Sequence, residues 1–440
     1  MKQGLLAEKS RTNIFASWAI KMRLPAVFLM CLFSLIIGSY VQAATESIAI
    51  VRPDCANKSI AEANCYTSLV AWETAEQKDL VASDQIAVAQ IEGSWTSADT
   101  GAVFVSGWTT DATRYIKIHT VGEARHSGVW SNSKYRLETS STVFYVNEEN
   151  VRIDGLQIHQ TDATNNSRYG IRLAPASQSN YYLSNNIIRG NSATNGFFSH
   201  AIVTTSGYAG SSIYLWNNII YNFTSNGTGS GINLGSNHTA YIYNNTINNC
   251  FQGIYHISSA YAKNNIVQNT TGEAYSGLID FETSSNYNVS DDATSTSGAN
   301  DKINQTVSFS STVSGSENLH LQASDVSARG AGTNLGSDAN LSFSTDIDGE
   351  TRSGAWDIGA DESNTSSLRS DVDGNLASNT TDALLTLRNS IGLNMSATAW
   401  QASATTGDVN CNGSSNSTDA LLILRYSIGL SMSGTSWCES

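Results

Sequence analysis

Between residues 180 and 270 one short phrase recurs: Leu183-Ser184-Asn185-Asn186-Ile187-Ile188, Leu215-Trp216-Asn217-Asn218-Ile219-Ile220, Ile242-Tyr243-Asn244-Asn245-Thr246-Ile247 and Ala262-Lys263-Asn264-Asn265-Ile266-Val267. A second phrase is interleaved with it: Gly170-Ile171-Arg172-Leu173, Gly231-Ile232-Asn233-Leu234, Gly253-Ile254-Tyr255-His256 and Gly277-Leu278-Ile279-Asp280. The second Asn of each pair falls at 186, 218, 245 and 265, in steps of 32, 27 and 20 residues. Repeats of this length, made of short alternating strands, mark a solenoid in which each unit buries its apolar face only against the next. An apolar period of two rather than 3.6 excludes a helical solenoid. The unequal steps imply loops inserted at 191–200 and 223–230. Asparagines held in register would stack as a ladder, each amide bonding to the next coil.

These phrases resemble those of right-handed parallel β-helix proteins, over about residues 100–363. The resemblance implies a mainly β chain. It does not choose an activity, because the fold carries lyases, hydrolases, adhesins and inert scaffolds. Residues 44–99 read as an N-terminal cap and first strands, with a short helix in Tyr66–Glu76. At the other end Leu319-His320-Leu321, Asp346-Ile347-Asp348-Gly349 and Trp356-Asp357-Ile358-Gly359-Ala360-Asp361-Glu362 resemble a closing segment. Its acids read as a cap paired with Arg352 in preference to a cation site. Residues 364–369 form a linker by composition.

The chain has 440 residues, with 24 Lys+Arg against 38 Asp+Glu. That balance argues against a nucleic-acid partner, which requires clustered bases to neutralise phosphate. Residues 1–43 read as a signal peptide: Lys21 and Arg23 precede an apolar run, Leu24–Val41, and Val41-Gln42-Ala43 supplies small residues for cleavage. The alternative is a single membrane anchor. The long stretch before Met22 makes that residue a second candidate start. Cleavage predicts a secreted or cell-surface protein, not an integral membrane one, with a net charge of −18. In an exported chain the neighbouring pairs Cys55–Cys65 and Cys411–Cys438 read as disulfides, leaving Cys250 as a buried thiol.

Catalysis leaves a weaker trace. From Ala163 to Gly272, 110 residues, there is no Asp or Glu. Glycoside hydrolysis requires two carboxylates across the bond, so a hydrolase centred on the repeats is disfavoured against a lyase. Candidates for lyase chemistry are His200, Arg172, His256 and Lys263, with His256 and Asp280 expected to stack as a pair on adjacent strands. The rival reading makes all of them ordinary strand residues. Trp216 and Tyr243 share one motif position; facing solvent they would stack sugar rings, facing inward they would be core.

The C-terminal end is duplicated. Asp371-Val-Asp373-Gly-Asn375-Leu-Ala377-Ser-Asn379-Thr380-Thr381-Asp382 returns 37 residues later as Asp408-Val-Asn410-Cys-Asn412-Gly-Ser414-Ser-Asn416-Ser417-Thr418-Asp419. Each copy leads into a helical pattern, Ala383–Leu393 and Ala420–Leu430. Oxygen side chains at positions 1, 3, 5, 9 and 12, with a carbonyl at 7 (Ala377, Ser414), suit a calcium ion in each loop. Residues 370–440 resemble a type I dockerin, apart from Leu376 where glycine is usual in loop one. The resemblance implies two Ca2+ ions and a cohesin-type partner contacted through Thr380, Thr381, Ser417 and Thr418. The whole then reads as a secreted β-helix that binds polysaccharide, with processing of it left open, and is docked through its tail. The competing reading is a non-catalytic adhesin or scaffold whose calcium module only caps the solenoid.

Overall fold

The computed structural model describes residues 43–55, 64–162, 167–174, 176–191, 198–205, 207–224, 227, 229–322, 324–363, 370–373, 378–396, 398–400 and 407–438. The leader and the linker therefore lie outside the described residues, as do parts of both expected loop insertions. No helix among the described residues is long and apolar enough to cross a membrane.

The chain is mainly β and winds through three parallel sheets in turn. Val151–Asp154 lies in the first sheet, Gln157–Gln160 in the second and Arg168–Leu173 in the third; Asn180–Ser184 then returns to the first. Among the described residues the first sheet has nine strands and ends at Ala260–Lys263, and the others have seven each. This arrangement is consistent with a parallel β-helix. Winding begins earlier than the repeats suggest, since Thr45–Val51 already pairs in parallel with Gln85–Ile91. Between them, helix α1 (Leu69–Glu76) is capped by Ser68, whose hydroxyl accepts from Ala71 N, and buries Leu69 and Trp72 in the solenoid core; the short helix α2 (Leu80–Ser83) follows.

Alternation explains the core. In register, Leu183 pairs with Leu215, Leu215 with Ile242 and Ile242 with Ala262, while the second sheet stacks Ile188, Ile220, Ile247 and Val267. All are buried. Each buried isoleucine or leucine stabilises the fold by about 1.5–3 kcal/mol, so the columns supply the main driving force. The glycine of the second phrase has a packing reason: a Cβ on Gly231 would sit 2.7 Å from Ile247 Cγ2, and one on Gly253 would strike Val267 and the Ala274 carbonyl.

The paired asparagines make the corner between the first and second sheets. The first of each pair, Asn185, Asn217, Asn244 and Asn264, takes the left-handed conformation (φ 54°, 53°, 50° and 55°), which Asn tolerates better than other side-chain-bearing residues. The second points inward and forms the expected ladder. Nδ2 of Asn186 donates to Asn218 Oδ1 (3.0 Å), Asn218 to Asn245 (2.9 Å), and Asn245 to Asn265 (3.1 Å). Backbone N–H groups of the same residues donate to the same oxygens. The ladder runs one rung further than the repeat, to Asn288, and is terminated by the Asp301 carboxylate.

The closing segment lies along the side of the coils. Thr345 O accepts from Asn217 Nδ2, Thr333 O from Asn264 Nδ2, and Gly359 O from Asn244 Nδ2, so three successive corners are bridged. Ile347, Ile358 and Ala360 bury the outward side chains Ile187, Ile219 and Ile266 of the second sheet. The pairing of Arg352 is as expected: the buried guanidinium donates to Glu362 Oε2 (3.0 Å) and to the Gly359 and Ala360 carbonyls.

Burial pushes the imidazoles of His126, His200 and His238 down to about 4, from an ordinary 6.5. A depressed folded-state value means that the unfolded chain takes the proton first, so stability is lost as pH falls from 6.5 toward 4. Asp361, lifted to about 7 by burial, acts with the opposite sign. The expected result is therefore read residue by residue: NMR ring resonances of the three histidines stay at neutral positions until pH approaches 4. Titration near 6.5 would show that they are hydrated.

Candidate functional site

The duplicated C-terminal segment folds into two matching helices, α3 (Thr380–Ser390) and α4 (Ser417–Ser427). Each begins with a reciprocal capping box. Asn379 and Asn416 accept helix N–H groups, while Asp382 and Asp419 accept from the backbone N–H of Asn379 (2.8 Å) and Asn416 (2.9 Å). Ala383, Val409, Leu422 and Ile423 form a small core of the module's own, with Met432 and Trp437 against it. The Cys411–Cys438 disulfide ties the second loop to the end of the chain; Cys55–Cys65 is also bonded, and Cys250 is free and buried.

The loop acids are drawn inward. Asp371, Asp382 and Asp419 are fully buried and Asp408 nearly so. Carboxylate oxygens of Asp371, Asp373 and Asp382 all lie within 4.8 Å of one another. Burial, with Asp373 and Asp371 alongside, lifts the Asp382 carboxyl to about 6. Three acids this close repel one another unless a cation or protons intervene. In the second loop Asp408 accepts from Asn412 N and Gly413 N, and Asp419 from Asn410 N, closing the loop around its oxygens. Asn375 and Ala377 lie outside the described residues. The donor set present is hard and all oxygen, which fits Ca2+.

Beside the acids the helices leave an apolar groove of about 500 Å³. Its lining is four duplicated pairs: Thr380 and Ser417, Ala383 and Ala420, Leu384 and Leu421, Leu387 and Leu424. Leu384 and Leu421 are 56% and 66% exposed. Thr381 and Thr418 are exposed at the helix starts next to it, outside the lining. Leu384, Leu387 and Ile391 stand at helical spacing on one face; that this face is open to solvent depends on packing.

On the solenoid the candidate catalytic residues do not converge. His256 is buried, its Nδ1 2.8 Å from Ser258 O, and its ring packs on Phe281. Its register partner is Gly277, so the expected stacking with Asp280 gives way: Ile254 pairs with Tyr275, and Asp280 lies exposed beyond the strand. The motif glycines 253 and 277 were aligned on sequence likeness, whereas the ladder and core columns fix the register three residues earlier. His200 is buried and accepts from Ser230 N, and Lys263 pairs with Asp338 at 2.7 Å. Arg172 alone among the five lies in an outward groove, described below.

Trp216 and Tyr243 face outward but are not an open stripe, because Phe343 and Trp356 of the closing segment cover them. A half-buried aromatic column lies two residues earlier on the same strands, with Tyr214, Tyr241 and Tyr261 packed in part against the same cluster. Tyr182, Tyr214, Tyr241 and Tyr261 stack with centroids 4.5, 5.1 and 5.1 Å apart, and Arg152 bridges Tyr182 to Tyr115. Sequence reasoning missed it, although each of the four tyrosines stands four residues before a ladder asparagine.

Neither a protein-family model nor a curated protein matches the chain significantly. The functional reading therefore rests on the geometry above.

Proposed function

We propose that this is an exported solenoid that binds polysaccharide and is held in place by a calcium-dependent dockerin-like module engaging a cohesin-type domain. One observation carries the docking half: the groove between α3 and α4 is apolar, exposed and built twice over from residues 37 apart. Leucines left in water on both copies mark a surface that gains by being covered. The module's separate core supports docking over capping, since the leucines a cap would bury remain open. The two disulfides are compatible with an extracytoplasmic site.

The polysaccharide half is supported by long, rigid outer faces carrying aromatic columns, which suit extended chains. Lyase chemistry remains preferable to hydrolysis for any catalysis, because the coils that carry the columns hold no carboxylate pair. The test of docking is calcium-dependent retention on a panel of immobilised cohesin-type domains. Leu384→Asp with Leu421→Asp should reduce binding at least a hundredfold, since two charges enter the desolvated centre of the contact. Retention unchanged by this pair, or by chelator, would sink the reading.

A further inference from the structure

Of the three outer faces, the second sheet is buried beneath residues 307–360 and the first is flanked by the same segment. The third carries a groove of about 390 Å³ near its first strands. Three residues form its floor in consecutive register, Phe104 on Val103–Val105, Tyr145 on Phe144–Val146 and Arg172 on Arg168–Leu173. Phe104 stacks on Tyr145 with centroids 4.8 Å apart and remains 51% exposed. The Arg172 guanidinium lies over Tyr145 (4.8 Å) and Tyr169 (5.8 Å). It makes no ion pair or hydrogen bond among the described residues, whereas Arg168 at the rim faces Asp162 at 3.7 Å. Ser141, Thr142 and Ser167 add hydroxyls to the walls.

An acidic protein that gives a guanidinium no partner among the described residues, over two rings and beside an exposed phenyl, presents an anion receptor joined to a stacking surface. We propose that this groove binds an acidic oligosaccharide, with a uronate carboxylate held by Arg172 and a neighbouring pyranose against Phe104. Arg172 offers two parallel N–H donors to a carboxylate, and the tyrosines hold its plane fixed. Phe104 and Arg172 are two strands apart, about 10 Å, so the occupant spans at least two sugar units. The assignment rests on the polysaccharide reading above and narrows it to uronate-containing chains.

The test is calorimetry on the full chain with three probes: oligogalacturonate, the same oligosaccharide with its carboxylates reduced to alcohols, and a sulfated dextran oligosaccharide. Oligogalacturonate should bind, and the reduced form at least tenfold more weakly. Arg172→Ala should lose at least tenfold for oligogalacturonate and nothing for the reduced form. Phe104→Ala should weaken both probes, and Arg168→Ala should matter least; all three side chains face outward, so melting temperatures should not move. Equal affinity for the reduced probe, tighter binding of the sulfated one, or an Arg172→Ala protein indistinguishable from wild type would overturn the assignment while leaving polysaccharide binding intact. Failure to bind any of the three probes would overturn the assignment; failure to bind neutral glycans as well would sink the broader reading.

Discussion

Asn245→Ala is expected to cost the solenoid roughly 4 kcal/mol or more. Asn245 is fully buried at the centre of the ladder. Its Oδ1 accepts from both the backbone N–H and Nδ2 of Asn218, and its Nδ2 donates to Leu215 O, Tyr243 O and Asn265 Oδ1. Truncation removes five hydrogen bonds where no water reaches, each worth about 0.5–1.5 kcal/mol, and leaves the Asn218 backbone N–H without its acceptor, an orphaned buried group that costs about 1–3 kcal/mol. The loss also opens a void one amide in size, which the stacked coils cannot close without breaking register. Asn300→Ala, at an exposed asparagine outside the ladder, should stay within about 0.5 kcal/mol of wild type. Chemical unfolding of the two variants side by side checks this; equal stability would mean that the ladder contributes nothing net.

The ladder was legible in the sequence because it obeys a local rule. An Asn in the left-handed corner followed by an Asn pointing inward recurs at four successive corners where the first sheet turns into the second, so the chemistry repeats with the coil. Asn288 was missed because its coil lacks the first Asn of the pair, Tyr287 taking the left-handed position instead (φ 60°). The fate of Trp216 and Tyr243 was not legible for a different reason. Whether an outward ring meets water depends on Phe343 and Trp356, which lie 100 or more residues further along and share no motif with the repeats. Arg172 shows the same limit. Its place in a strand followed from Gly170-Ile171-Arg172-Leu173, but its neighbours Phe104 and Tyr145 belong to coils whose sequences carry neither recurring phrase. In the C-terminal module the duplication is plain in the sequence, yet the exposure of Leu384 and Leu421 follows only from which helix faces pack together.

Removing calcium is expected to produce the largest change of all, confined to the module. Among the described residues its buried apolar side chains are Val372, Ala383, Leu385, Val409, Ala420, Leu422 and Ile423, with Met432 and Trp437 partly buried, too little to hold seventy residues against the loss of chain entropy. Around that core sit the buried carboxylates Asp371, Asp382, Asp408 and Asp419. An ion present at a thousand times its dissociation constant adds about 4 kcal/mol per site, and for a module of this size each kcal/mol moves the melting temperature by about 4–8 °C. Calorimetry of the full chain should show a minor transition that falls by roughly 20 °C or more in EGTA, while the solenoid transition stays in place. Calcium should restore it and magnesium should not, because magnesium resists giving up its waters to an all-protein cage. Asp371→Ala combined with Asp408→Ala should leave the module at its EGTA value whatever the calcium concentration, and docking should vanish with it. The Leu384→Asp and Leu421→Asp pair separates the two effects: calcium should still raise its melting transition although the partner no longer binds. A wild-type module with the same transition in calcium and in EGTA would refute the calcium-loop reading, and with it the ordered groove on which docking depends.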